Sequence, residues 1–430
     1  MTIPMIWGIL AIVVVSITDT FFVGQLGTLP LAAMGFVFPV AMVMFSLGIG
    51  LSVGAASVVA RAIGGSSHEQ VRRLTTDALT LSFIISTVFV VAGVLTIEPV
   101  FRLLGADDGA LPLITAYMIP SYIGIVFLIV PMVGNGAIRA CGDTKWPALM
   151  MIGSALINAV LDPILIFGLL GMPRMEIAGA AWATVAARVF ILFGVFSILY
   201  FREQMITKLW PGWKAFTGSA RKILHIAIPA AVNQMLNPLA AAALTAMVAT
   251  YGTGAVAAFG VATRIEALAL VILYALSAAI GPISGQNWGA GLPERAREVL
   301  IYCFRFCLIF GFGGAVIVFV CAPYITTRFD PDPAISGLAD RYLRIVVWSY
   351  AFHGAVMMAS AFFNSVGKPG PSLSLTVFRM AVLMIPLAYV GSLLFGIQGI
   401  FAAIALANTC AGIVSITWSI RVCNRARTTV

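Results

Sequence analysis

Charge is what this chain has least of. Asp, Glu, Lys and Arg make up only 10% of its 430 residues while hydrophobic residues reach 61%, against roughly 25% charged in an ordinary soluble domain. So few charges cannot cover a water-facing surface, which excludes a soluble globular fold. No G-x-x-x-x-G-K-[ST] loop occurs in the chain, which argues against ATP hydrolysis by the chain itself; work done by it must draw on a gradient. Six cysteines are present, but Cys303 and Cys307 stand one helical turn apart without His or carboxylate neighbours. They lack the rest of a zinc set and read as packing residues. The first basic residue is Arg61, so the opening stretch lacks the Lys/Arg-rich start and the cleavage site of a secretory signal. It is expected to remain as a first helix.

In place of charge comes one apolar stretch after another, each long enough for the roughly 20 residues that span a bilayer. These predict helices near 3–23, 33–60, 74–98, 111–137, 146–170 and 176–200, then near 225–250, 256–285, 298–322, 337–363, 371–394 and 399–421. The expected fold is all-α and polytopic, with twelve transmembrane helices. Lys and Arg accumulate in cytoplasmic loops, and they are unevenly placed here. With both termini cytoplasmic, 16 of the 25 basic residues fall on the inner side and 5 on the outer, leaving Arg188, Arg264, Arg305 and Arg379 within helices. The net charge of +9 therefore reads as orientation in an inner membrane, not as nucleic-acid binding.

The chain also repeats itself at an offset of 225 residues. Gly27-Thr-Leu-Pro-Leu-Ala-Ala-Met-Gly35 lies over Gly252-Thr-Gly-Ala-Val-Ala-Ala-Phe-Gly260, and Ile3-Pro4, Gly64, Glu69, Arg72 and Gly142 fall on Ile228-Pro229, Gly289, Glu294, Arg297 and Gly367. One offset over so long a stretch indicates duplication. Residues 1–200 form an expected N-lobe with helices 1–6, residues 201–224 a cytoplasmic linker containing Trp210-Pro-Gly-Trp213, and residues 225–430 a C-lobe with helices 7–12. An even number of helices per copy inserts both the same way, giving parallel repeats about an axis along the membrane normal. Two lobes around a central cleft follow.

An ionisable group inside a membrane segment costs about 2.5–3.5 kcal/mol on insertion scales and is a functional candidate. Asp19, Asp162 and Glu266 qualify, with Asp77 near the cytoplasmic end of helix 3. Repeat counterparts of Asp19 and Asp162 are Leu244 and Leu387, and that of Glu266 is Ala41, so the shared scaffold does not require these acids. Asp162 lies eight residues from the outer end of helix 5 and Thr184 eight residues from the outer start of helix 6, which puts both about 12 Å deep. Asn158 stands one turn from Asp162 on the same face, and Asp19 is also in the outer half. Two carboxylates, an amide and a hydroxyl could converge on one cavity and hold a proton or a hard cation such as Na+. The structural alternatives are an Asp162–Arg188 ion pair, and neutralisation of Glu266 by Arg264 or Arg305. Among the membrane-segment prolines, Pro39, Pro120, Pro131, Pro229 and Pro386 permit bending, while Gly50 and Gly54 read as a close-packing pair.

Asp19-Thr-Phe-Phe-Val-Gly-Gln-Leu-Gly27, Arg139-Ala-Cys-Gly-Asp-Thr-Lys145, Asn158-Ala-Val-Leu-Asp-Pro163 and Gly179-Ala-Ala-Trp-Ala-Thr184 together resemble the MATE (multidrug and toxic compound extrusion) transporters. Asp19, Thr263-Arg-Ile-Glu266 and Asn364-Ser-Val-Gly-Lys368 resemble the DinF-like branch. The resemblance implies a V-shaped, two-lobe, monomeric antiporter, not an enzyme, that exports small organic and often cationic compounds in exchange for Na+ or H+, with no cofactor and with lipids as its surroundings. It further implies a cation site at Asp19, Asn158, Asp162 and Thr184, a contribution from Tyr117, and a bend of helix 1 at Pro4. Glu266 and Arg188 are the candidates for the substrate cavity. A lipid-linked precursor flippase of the same superfamily is the alternative, through a cationic cavity drawn from Arg188, Arg264, Arg305 and Arg379. A non-transporting scaffold or receptor would leave acids confined to one lobe without a reason.

Overall fold

The computed structural model describes residues 2–207, 212–329 and 332–427, and among them it contains helices and no strand. Apolar sequence becomes helix because lipid offers no water to satisfy backbone N–H and C=O groups, and an α-helix satisfies them within its own segment. In chain order the helices are α1 (Thr2–Gly24), α2 (Thr28–Gly65), α3 (His68–Leu95), α4 (Ile97–Leu103), α5 (Leu111–Ile123), α6 (Val126–Ala140), α7 (Lys145–Phe167) and α8 (Glu176–Ser197). There follow α9 (Trp213–Ala249), α10 (Thr253–Gly289), α11 (Pro293–Phe329), α12 (Pro333–Val346), α13 (Tyr350–Ser365), α14 (Pro369–Val377), α15 (Ile385–Phe395) and α16 (Ile397–Arg427). Among the described residues 11 segments are long and apolar enough to cross a membrane, and α1, 23 residues long, stands beside them. The protein is therefore a multi-pass membrane protein, and exposed apolar side chains such as Leu95, Ile309 and Val320 belong to a surface that faces lipid instead of water.

The chain divides into two compact units, Met1–Ala231 and Val232–Val430. Each has its own core, built around Phe101, Ile114 and Ile129 in the first and Phe362, Phe363 and Phe401 in the second. The repeat is visible in local backbone geometry. Gly27 and Gly252 stand at φ 118° and 101° just before α2 and α10, and Gly142 and Gly367 at φ 97° and 79° in the turns before α7 and α14. Only glycine takes such angles without strain, which explains why these pairs match between the halves. The fourth helix of each half is broken at the same place: α5 gives way to α6 at Gly124–Ile125, and α12 to α13 through a 3-10 turn at Val347–Ser349.

Gly50 and Gly54 on α2 face α9. A Cβ there would come within 2.6 Å of the Ala227 carbonyl and 2.7 Å of the Ile223 carbonyl, so the close-packing reading holds.

Two elements differ from expectation. The helix expected from about 225 starts at Trp213, inside the stretch read as linker, because Phe216, Ala220, Ile223 and Ala227 recur at helical spacing and pack on the core of the first unit. Lys214, Arg221 and Lys222 occupy other faces of this helix and disguise the period. Lys208, Trp210 and Pro211 of the expected linker lie outside the described residues. The helix expected near 371–394 is interrupted by a π-helical turn, Phe378–Met384. Pro386 supplies the cause, since it has no N–H for the preceding turn and its ring crowds the carbonyl four residues back.

Candidate cation site and a second polar cavity

In the first unit, Asn158 and Asp162 lie one turn apart on α7, and Thr184 and Arg188 one turn apart on α8. Gly179 brings the two helices together: a Cβ there would meet the Leu165 carbonyl carbon and oxygen at 2.6 Å. Backbone can touch backbone only at such a residue, and Thr184 follows just over a turn later. Asn158 Nδ2 consequently donates to Asp162 Oδ1 at 3.3 Å and to Thr184 Oγ1 at 3.4 Å. Helix α1 packs along α7 and puts the Asp19 carboxyl in side-chain contact with Asp162 and Asn158. Asp162 is 0% and Asn158 2% exposed.

Three oxygens of this cluster are buried without a partner: Asp19 Oδ1, Asn158 Oδ1 and Asp162 Oδ2. Buried polar atoms are otherwise nearly always paired, and two carboxylates that only accept hydrogen bonds cannot hold each other without a proton or a cation between them. Arg188 is felt electrostatically at Asp19 and Tyr117; it makes no ion pair with Asp162. Two acids against one guanidinium leave room for one more positive charge. Tyr117, on α5, lies in electrostatic range of both acids and of Arg188. The fit to a hard cation is chemical as well as electrostatic, since carboxylate, amide and hydroxyl oxygens are what such an ion takes. Pro4 lies within α1.

Glu266 and Arg188 belong to different units. Glu266, on α10, accepts a hydrogen bond from Tyr342 Oη at 2.6 Å and pairs with neither Arg264 nor Arg305. It lines a cavity of about 360 Å³ inside the second unit together with Asn237, Tyr274, His353, Arg379 and Asn408. Arg379 is 5% exposed. Its Nη1 donates to Asn408 Oδ1 and its Nη2 to Asn237 Oδ1, both at 3.1 Å, and Asn408 Nδ2 donates to Ser349 Oγ at 3.1 Å. Arg264 and Arg305 are exposed, with Arg305 over the Tyr302 ring at 6.0 Å. Of the four intramembrane arginines, Arg379 is the one that lines this cavity of the second unit. A search restricted to carboxylates passes over Asn237, Asn408 and Tyr342; intramembrane amides are the signal that would have found the first two.

The 225-residue repeat returns in the comparison with known families, where the MatE family model matches residues 4–164 and again 229–390. The chain belongs to the MatE family. A "FAD transporter" of Shewanella oneidensis is 36% identical over 429 residues, spanning 100% of this chain and 95% of that protein. "Multidrug export protein MepA" of Staphylococcus saprophyticus is 23% identical over 411 residues, 95% of this chain and 89% of that protein. The crystal structure of the Vibrio cholerae MATE transporter VcmN in its bent form superposes with a TM-score of 0.93 at 28% identity, covering 99% of this chain and 96% of that one. As a MatE-family member, this all-helical membrane protein is a transporter and not an enzyme.

Proposed function

We propose that this MatE transporter is an antiporter of the inner membrane, with both termini cytoplasmic, that expels small organic compounds in exchange for one cation bound at Asp19, Asn158, Asp162 and Thr184. The observation that carries it is the set of three buried, unpartnered oxygens on Asp19, Asn158 and Asp162, in a half whose repeat counterparts at 244 and 387 are both Leu. A proton fits between the two carboxyl groups, and Na+ fits the wider oxygen set completed by Thr184. Tyr117 and Arg188 border the site and set the field around it. With the site charged, a cationic compound is attracted to the first unit; once the coupling ion neutralises it, that attraction weakens and the compound leaves. Coupling requires only that cargo and ion prefer different states of the carrier. It works as a monomer, surrounded by lipid, and needs no cofactor.

Proteoliposomes loaded with a fluorescent organic cation test this, with a Na+ gradient and a pH gradient applied separately. One of the two should drive transport in the unmodified protein and neither in Asp19→Asn or Asp162→Asn. Unchanged transport in both variants would refute the site.

A second cargo reading is a flavin dinucleotide, supported by the relative named an FAD transporter and by the buried guanidinium of Arg379 in the cavity of the second unit. Flavin accumulation in the medium of producing cells, compared with cells lacking the gene, tests it.

A further inference from the structure

Arg379 is held in an unusual way. Its two terminal nitrogens are oriented by the amide oxygens of Asn408 and Asn237, which are neutral and leave the charge uncompensated. Its Nε is buried without any partner. A guanidinium carries five N–H donors, and a buried charge without a counter-charge is expensive. Glu266 shares the cavity and lies within electrostatic range, but its carboxylate is bonded to Tyr342 and makes no ion pair with Arg379. The backbone at this point is also irregular. Arg379 sits in the π-helical turn Phe378–Met384, whereas the matching stretch of the first half, around Ser154, is continuous α-helix within α7. π-Turns persist where they place a functional side chain. Besides its polar groups the cavity has apolar and aromatic wall, with Phe259, Tyr274 and Met384 in it.

We propose that this cavity of the second unit is an anion-accepting cargo subsite. An organic molecule bearing a carboxylate or phosphate places that group against the Arg379 guanidinium and lays its apolar or aromatic body against Phe259, Tyr274 and Met384. The volume, about 360 Å³, is near the lower end for small-molecule sites. It admits a ring system with one anionic group, and only a portion of a dinucleotide. This inference rests on the export reading above but concerns what is carried, not what drives it.

The test uses the full-length protein in lipid nanodiscs and two pairs of fluorescent probes, each pair differing by one anionic group: FMN against riboflavin, and dansylglycine against dansylglycinamide. The charged member of at least one pair should bind about tenfold tighter, the scale of one hydrogen-bonded charge contact. The pair that responds tells phosphate from carboxylate. Arg379→Gln should abolish the preference and Arg379→Lys should retain part of it, having charge without the fork. Glu266→Gln should strengthen binding of the anionic member, because it removes a like charge from the cavity. A purely structural role for Arg379 would not produce that response. Gly260 lines the cavity with open space where a Cβ would stand, so Gly260→Leu should fill it and weaken both members of the responding pair. Asp19→Asn, which stops ion-driven export, should keep the anion preference, so failure of the export reading and failure of this one look different.

The proposal is overturned if neither pair shows an anionic preference in the unmodified protein, or if the preference survives Arg379→Gln. Should Arg379→Gln not fold, unchanged binding in both Glu266→Gln and Gly260→Leu overturns it equally.

Discussion

At the scale of single residues, the polar groups of this protein sort by whether their partners are complete. Tyr342 and Glu266 satisfy each other at 2.6 Å, and many buried hydroxyls return to their own helix, as Thr75 Oγ1 does to the Val71 carbonyl at 3.0 Å. Asp19, Asn158 and Asp162 do not close in this way. Substituting Asn for either acid keeps the shape and removes the charge that a coupling ion must neutralise, so ion-driven export should fall about tenfold or more while the protein is still produced and monodisperse. Thr184→Ala removes one neutral ligand and should cost only a few-fold, about threefold; initial rates in proteoliposomes measure both. Asn408 is a different case, since it accepts from Arg379 and donates to Ser349. Asn408→Leu leaves Arg379 Nη1 without its acceptor while Asn237 still holds Nη2, and should destabilise the protein by about 1–3 kcal/mol, read as a lowered Tm in detergent, with ion-driven export of cations affected far less than by the Asp19 change.

At the scale of elements, glycine decides which helices can touch. Gly179 sits on the backbone of α7 at Leu165, so Gly179→Leu must push α8 outward, and overpacking of this kind costs about 1–3 kcal/mol. Because Thr184 rides on the same helix, export should be lost in Gly179→Leu to a greater extent than in Thr184→Ala; comparing the two rates checks that α7 and α8 position the site jointly. The turn glycines act through backbone angle instead. Gly27→Ala and Gly252→Ala would each force a side chain into the left-handed region at φ 118° and 101°, at a cost of about 1–2 kcal/mol. Equal losses of thermal stability at the two positions are the expected result. Proline contributes the remaining irregularity: Pro386 follows the turn that displaces Arg379 from a regular helical position.

At the scale of the molecule, the proposed orientation, drawn from the uneven placement of basic residues, predicts a cytoplasmic start of α9. A single cysteine at Lys214 should resist an impermeant thiol reagent added outside intact cells and react after permeabilisation; labelling from outside would reverse the assigned orientation. Much of the architecture was legible from the amino-acid order because lipid is a demanding solvent: each crossing needs an apolar run of fixed length, and duplication leaves its glycines at a constant offset. Asp19 and Asp162 could be singled out for the same reason, since a carboxylate in an apolar helix is costly and therefore conspicuous, and Asn158 and Thr184 by their spacing and depth relative to Asp162. Three features were decided only by the fold. The first turns of α9 hide their apolar period among basic residues until the core of the first unit covers Phe216 and Ile223. The contact of Asp19 with Asp162 joins α1 to α7 across a long separation in sequence, and no local pattern encodes such a distance. The network of Asn237, Arg379 and Asn408 gathers three helical segments around a π-turn. Composition and spacing report what each helix must hide from lipid, whereas which polar groups meet inside depends on how backbones pack, and that is set by the whole fold at once.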